Sequence, residues 1–299
     1  MEFRSVFVSN PAQLSVRRGQ LVIRQEEERS VPMEDLSALL LESRAVSITT
    51  AALQELTDHG VTVYLCDETH LPAALVLPMN RHSRQLKLLK GQIAMRRPIQ
   101  KRVWQGVVMS KISNQALCLA LLGKEGAEEL QELADQVRSG DPDNWEAVAA
   151  ARYFPALFGA GFTRGEECRV NAALNYGYAI LRGAVARHLV TRGLEPCLGI
   201  FHHSELNRFN LADDLMEPYR PLVDLYVASH VPDDEGCLTP SIKQQLFQLS
   251  HYLVEQDGKR FRAISAIGRM ADSFSRIVQN GQGQLELPRL LPLQLGRYE

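Results

Sequence analysis

The segment Gln13-Leu14-Ser15-Val16-Arg17-Arg18-Gly19-Gln20-Leu21-Val22-Ile23-Arg24-Gln25 alternates apolar and polar residues on either side of Arg18-Gly19. Strand side chains point to opposite faces with a period of two, so the alternation predicts two strands joined by a tight turn. The neighbouring sequence extends the β reading. Ser5 to Ser9 is a short apolar run, Val46 to Thr49 is β-branched, and Val61 to Cys66 is β-rich. Between the last two, Thr50 is expected to cap a short helix from Ala51 to His59, which Gly60 would end. The first eighty residues therefore predict a small β-rich domain with one embedded helix.

After Pro78 the pattern changes. From Arg81 to Lys111 there are nine basic residues (Arg81, Arg84, Lys87, Lys90, Arg96, Arg97, Lys101, Arg102, Lys111) and no acidic one. Leu86, Leu89 and Ile93, then Val103, Val107 and Ile112, recur at helical spacing, which predicts two helices broken near Pro98 with basic outer faces. Lys124 to Glu146 is acid-rich, and from there to about Ile277 the pattern is helical, with an irregular tail from Asn280. The fold class expected is α+β, with a β-rich domain over residues 1–80 and a larger, all-helical domain over residues 81–299.

Composition narrows the function. With 45% hydrophobic and 23% charged residues the 299-residue chain reads as globular, which excludes disorder, collagen-like repetition or a coiled-coil rod as a description of the whole. Lysine and arginine number 33 against 35 acids, a net charge of -2, so a nucleic-acid partner would need a local patch, and Arg81 to Lys111 supplies one. The same stretch could be only a solvated face. No apolar run approaches the ~18 residues of a membrane span, and no secretory leader is expected, so the location expected is cytoplasmic. Five widely spaced cysteines suggest neither a disulfide framework nor a zinc site. Gly159-Ala160-Gly161-Phe162-Thr163-Arg164-Gly165 follows a helical pattern instead of a buried strand, and there is no Walker A sequence, so no nucleotide cofactor is expected.

The segment from Leu198 to Pro221 holds the chemistry-bearing residues. His202 and His203 lie on a loop after a helix, and Asp213, Asp214 and Glu217 open or line the next helix. Asp214 and Glu217 are three apart and project from one helical face, where two carboxylates repel unless a cation or donor lies between them. Oxygen ligands with one imidazole suit Mg2+ or Mn2+, with Zn2+ as the alternative. Equally, acids in a first helical turn are favourable without any metal. Glu146, in Asp143-Asn144-Trp145-Glu146, is a third acid for such a cage. A capping box with Asp143 as N-cap accounts for it as well.

Gly199-Ile-Phe-His202 followed by Asn210-Leu-Ala-Asp-Asp-Leu-Met-Glu-Pro-Tyr-Arg-Pro221 resembles the universal CRISPR-associated spacer-integration endonuclease family, the first-numbered Cas family. Trp145-Glu146 with Ala151-Arg-Tyr-Phe154, the Asn171 to Leu181 segment, and Thr49 to Leu53 running into Gly60 to Tyr64 match the same family in order. His202-His203, Asn210 to Asp214 and Lys111-Ile-Ser-Asn-Gln115 are most similar to its type II branch. The resemblance implies a homodimer formed by the N-terminal domain, and a catalytic, DNA-binding C-terminal domain. By motif position it implies that Glu146, His202 and Glu217 bind the metal and catalyse, with Asp214 as an additional acid nearby. Some branches carry Asp where this chain has Glu217.

The activity implied is metal-dependent insertion of short double-stranded DNA fragments into the CRISPR repeat by 3'-hydroxyl attack on a phosphodiester. A small ferredoxin-like adaptation subunit is the implied partner. Two rivals remain at this level: a non-catalytic DNA-binding scaffold, and a stand-alone nuclease acting on branched DNA.

Overall fold

A computed structural model describes residues 4–78, 84–232 and 236–296, which divide into two compact units, residues 4–78 and the remainder. In the first, β1 (Arg4–Val8), β5 (Leu36–Leu41), β7 (Thr62–Cys66) and β8 (Pro72–Val76) form one four-stranded sheet, parallel except for the β7–β8 pair. The second sheet has the order β4 (Glu28–Pro32), β3 (Gln20–Arg24), β2 (Ala12–Arg17), β6 (Val46–Ile48). The hairpin read from the sequence is β2–β3. Leu14 opposes Ile23, and Arg18 and Gly19 turn the chain with φ of 52° and 72°. Two successive positive φ angles are what a two-residue hairpin turn needs. Leu14, Leu21, Met33, Leu36, Leu39 and Val63 bury the alternate faces.

Helix α1 spans Thr50–Asp58, and its cap is Thr49, not the expected Thr50: the Thr49 hydroxyl accepts a hydrogen bond from the Ala52 N–H at 3.2 Å. Thr49 keeps an extended backbone (φ -75°, ψ 147°), the geometry a capping residue needs.

The second unit contains α2 (Gln85–Ile93), α3 (Arg97–Leu121), α4 (Ala127–Gln136), α5 (Trp145–Phe158), α6 (Arg169–Val190), α7 (Asn210–Met216), α8 (Arg220–His230), α9 (Pro240–Phe247) and α10 (Ala263–Asn280). β9 (Leu253–Gln256) and β10 (Lys259–Arg262) form an antiparallel hairpin before α10, so this unit is not all-helical as expected. Helix α3 packs against α4, α5 and α8, and α6 packs against α7 to α10. Gly177 lets α6 approach α8, since a Cβ there would collide with Val223.

The break between α2 and α3 falls at Ala94–Arg96, with Pro98 inside the first turn of α3, where its missing N–H costs nothing. Helix α2 buries Leu88 and Gln92 while Leu86 and Ile93 are exposed, the reverse of the expected stripe. Arg84, Lys87, Lys90, Arg96, Arg97, Lys101 and Arg102 are exposed; Lys111 is buried, and Arg81 lies outside the described residues. All five cysteines are free, and among the described residues no helix is long and apolar enough to cross a membrane.

Candidate active site

Lys111 sits on the buried face of α3, seven residues after Trp104 and between Val108 and Gln115, which are both buried. Its Nζ lies 2.6 Å from Glu146 Oε1 and 2.5 Å from Glu217 Oε2. Two acids 71 positions apart in sequence thus meet on one ammonium whose side chain is only 11% exposed. Burial alone would drive Lys111 to release its proton, but the Glu217 and Glu146 carboxylates overcome it and hold the ammonium above the usual lysine range.

Glu146 stands in the first turn of α5, but not in a capping box. Asp141, not Asp143, caps the helix: its two oxygens accept the Trp145 and Glu146 N–H groups at 2.9 and 3.0 Å. Asp141 and Asn144 both take positive φ, 47° and 55°, which turns the chain back so that the Asp141 carboxylate lies under the helix start. Asp143 instead forms a forked pair with Arg138. Glu146 is thereby free to reach Lys111.

Glu217 begins a 3-10 turn, Glu217–Tyr219, between α7 and α8. Arg220 Nε donates to its Oε1 at 2.8 Å. Burial raises the Glu217 carboxyl, but Arg220 and Lys111 more than offset that and keep it ionised. Asn114, one turn along α3 from Lys111, fixes this turn from below: its Nδ2 donates to the Pro218 carbonyl at 2.8 Å and the Pro288 carbonyl at 3.0 Å, and its Oδ1 accepts the Leu290 N–H at 2.9 Å.

The two histidines differ. His203 is exposed, whereas His202 Nδ1 lies 2.6 Å from Asp214 Oδ1. Asp214, wholly buried, also accepts the backbone N–H groups of Ile200 (2.5 Å), Phe201 (2.9 Å) and His202 (3.2 Å). Its four acceptor contacts are committed to the loop that carries the imidazole, so Asp214 positions His202 and does not share Glu217's ammonium. Gly199 is required here, because a Cβ would collide with the His202 carbonyl and crowd Asp214. The hydrogen bond to Asp214 raises the His202 pKa against burial, helped by the charges of Asp214, Glu217 and Glu146. Beside it Phe201 stacks on Trp104 with ring centroids 4.3 Å apart. A cavity of about 250 Å³ next to the pair is lined by Arg97, Gln100, Lys101 and His203. Asp213 turns elsewhere, to Arg182 and Asn207.

Among the described residues no three His, Cys, Asp or Glu side chains are drawn close enough to enclose a metal ion. Glu146 and Glu217 converge, and His202 lies near enough to feel both charges. The donor set suits a divalent ion. Two carboxylates already converge on a cation, Glu217 Oε2 is buried without a well-formed hydrogen bond, and an imidazole has one nitrogen tied to a carboxylate, the usual orientation of a metal-ligating histidine. Sequence reasoning missed Lys111 and Arg220, assigning the first to a DNA-facing surface. A lysine in the otherwise buried stripe of Trp104, Val107, Val108, Ile112 and Gln115 is the signal that could have found it.

Behind Glu217, Arg220 also lies over the Tyr178 ring, and Tyr178 and Tyr153 donate to the buried Asp224. Burial pushes the Asp224 carboxyl up to about 6 despite those bonds. Since the folded value exceeds the unfolded one of ~3.9, this group's contribution to stability is present at acid pH and lost as pH rises through about 6. Relative to the wild type, Asp224→Asn should therefore gain about 1.4 kcal/mol between pH 5 and pH 7.5. Urea unfolding at the two pH values checks this.

Residues 6–236 match the family described as "CRISPR associated protein Cas1". The chain is 46% identical to "CRISPR-associated endonuclease Cas1" of Neisseria meningitidis serogroup C (strain 8013), over the whole of both chains. Two solved structures share the fold. One is a casposase bound to integration product, with TM-score 0.77, 18% identity, and 96% of this chain and 93% of that one covered. The other is a Cas6-RT-Cas1–Cas2 complex, with TM-score 0.70, 19% identity, and 94% of this chain but 35% of that one covered.

Proposed function

Because the chain belongs to the CRISPR-associated Cas1 family, we propose that it is a DNA integrase and endonuclease of CRISPR adaptation, inserting short DNA fragments into the CRISPR repeat. The observation that carries this reading is the meeting of Glu146 and Glu217 on one buried cation, with His202 held beside them by Asp214. The endonuclease name of the Neisseria relative and the integration product in the casposase structure support it. The Cas2-containing neighbour supports work in a larger assembly, for which we take a homodimer joined to a small ferredoxin-like subunit, in the cytoplasm.

In the reaction, the 3'-hydroxyl of the fragment attacks a phosphodiester of the repeat. One phosphorus–oxygen bond forms as another breaks, and the leaving 3'-oxygen takes up a proton. One ester replaces another, so no ATP is consumed. Glu146, Glu217 and His202 are the residues that would hold a divalent ion, Mg2+ or Mn2+. Such an ion, when bound, supplies Lewis-acid charge for the attacked phosphate and lowers the pKa of the attacking hydroxyl.

The chain's own contributions are positional. Asp214 fixes the imidazole through Nδ1 and leaves Nε2 free, while Arg220 and Asn114 fix the Glu217 turn. The exposed Arg96, Arg97, Lys101 and Arg102 at the start of α3 bind DNA phosphates and contribute little sequence specificity. With water in place of the 3'-hydroxyl, the same groups would cut instead of join.

The test is a strand-transfer assay with a supplied duplex fragment, a repeat-bearing target, and Mn2+ or Mg2+. Joined product that disappears with EDTA is expected. DNA binding without any metal-dependent product would make the protein a scaffold, and cleavage of branched DNA without joining would make it a stand-alone nuclease.

A further inference from the structure

We propose that Lys111 is the chain's own counter-cation for Glu146 and Glu217, and that a divalent ion enters only by displacing its ammonium, so that Lys111 sets the metal concentration at which the site becomes competent. The inference rests on the metal reading given above and goes beyond it by naming the residue that opposes the ion.

The geometry is direct: one Nζ contacts an oxygen of each carboxylate, at 2.6 and 2.5 Å, so the same ammonium bridges the two acids. Charge gives the same answer. Glu146 and Glu217 carry two negative charges, and Lys111 and Arg220 carry two positive ones, so this quartet, buried at Lys111 and Glu217 and partly buried at the other two, is neutral without a metal. A divalent ion added to the full quartet would leave an excess of two positive charges in a region of low dielectric, where like charges a few Å apart repel strongly.

Of the two cations, Arg220 is the harder to move, since its guanidinium also lies 4.5 Å from the Tyr178 ring centroid. Lys111 shares α3 with the buried Val107, Val108 and Ile112, and its ammonium ends a flexible four-carbon chain. Only that end has to swing. Without metal, the lysine keeps two acids from repelling each other and holds them near the arrangement in which both serve one cation.

The experiment uses the full chain without DNA. Mn2+ affinity is measured by titration calorimetry, and thermal unfolding is followed with and without saturating Mn2+, for the wild type, Lys111→Met, Lys111→Arg and Glu146→Gln. Lys111→Met should bind Mn2+ at least about tenfold more tightly, because it removes a positive charge from contact with the ligands. It should also melt lower than the wild type without metal, and Mn2+ should close the gap. Lys111→Arg, which keeps the charge, should stay near the wild-type affinity, and Glu146→Gln should lose Mn2+ binding.

Unchanged or weaker affinity in Lys111→Met, beside a wild type that binds Mn2+ through Glu146, overturns this inference and leaves the metal reading standing. So does a melting deficit that Mn2+ does not repair, which would make Lys111 merely structural. Absence of Mn2+ binding in every variant overturns both. Should Lys111→Met not fold, acetylation of Lys111 in the wild type, read by peptide mass spectrometry, decides. Protection that Mn2+ relieves supports displacement, and protection unchanged by Mn2+ overturns it.

Discussion

Glu217→Gln should lower the rate of DNA joining by about 10³-fold or more, the scale on which removal of one group from a unit acting at the reacting atoms is felt. The substitution keeps the side chain's shape and removes its charge, so the effect isolates the carboxylate. Two consequences follow within the protein. Lys111 keeps only Glu146 as an ionic partner, and Arg220 loses the carboxylate on which its Nε rests. An unpaired cation that is largely buried costs about 3 kcal/mol, so the variant should also unfold at lower denaturant. Glu217→Asp separates the two effects. It restores the charge with a shorter reach, and should recover part of both the joining rate and the stability. Fragment binding by gel shift should survive in both variants, since the exposed basic side chains are untouched. Joining by Glu217→Gln within tenfold of the wild type would remove Glu217 from the site.

Asp214→Asn should be nearly as damaging, through a residue that does not share the ammonium. One carboxylate gathers three successive backbone N–H groups and the imidazole Nδ1. An amide must turn its NH2 toward some of those donors, leaving buried polar groups opposed or unpaired. A loss of about 3 kcal/mol of stability is expected. The Ile200–His202 backbone would then relax and the imidazole would lose its orientation. Mn2+ affinity should fall by about 10- to 100-fold, as it does when the carboxylate behind a metal-binding histidine is removed. Joining should fall by at least about 10²-fold. Asp213→Asn, one residue away but bonded to Arg182 and Asn207, is the control that should affect joining far less. Equal effects of the two substitutions would reject the positioning role of Asp214.

What could be read in advance divides along physical lines. The β2–β3 hairpin was legible because its alternation and the Arg18-Gly19 turn are local, and each constrains the other. Motif resemblance alone singled out Glu146, His202 and Glu217, and the structure brings the two glutamates together on Lys111. Spacing suggested instead that Asp214 and Glu217 face one ion, and the structure turns Asp214 toward the backbone of its own histidine loop. A three-residue offset fixes a helical face but not which of two acids a neighbouring loop will claim.

The cap of α5 was misassigned because two residues, Asp141 and Asn144, take left-handed backbone conformations that a capping-box pattern does not anticipate. The β9–β10 hairpin carried a signal that the helical reading passed over, the Asp257-Gly258 dipeptide, with φ of 52° and 69°. Lys111 was legible only against its apolar neighbours Val107, Val108 and Ile112. Read as the last of nine basic residues it joined the surface, since which face of α3 is buried depends on helices contributed from far along the chain.

The double hold of Asn114 matters to anyone trimming or fusing this polypeptide. One amide grips the turn that presents Glu217 and the extended segment at Pro288 and Leu290, some seventy residues downstream. Shortening from the C-terminal side that reaches Leu290 would strip partners from that amide and loosen the carboxylate's seat. A boundary for crystallisation or tagging therefore belongs beyond Leu290, however dispensable the irregular segment looks by its lack of helix or strand.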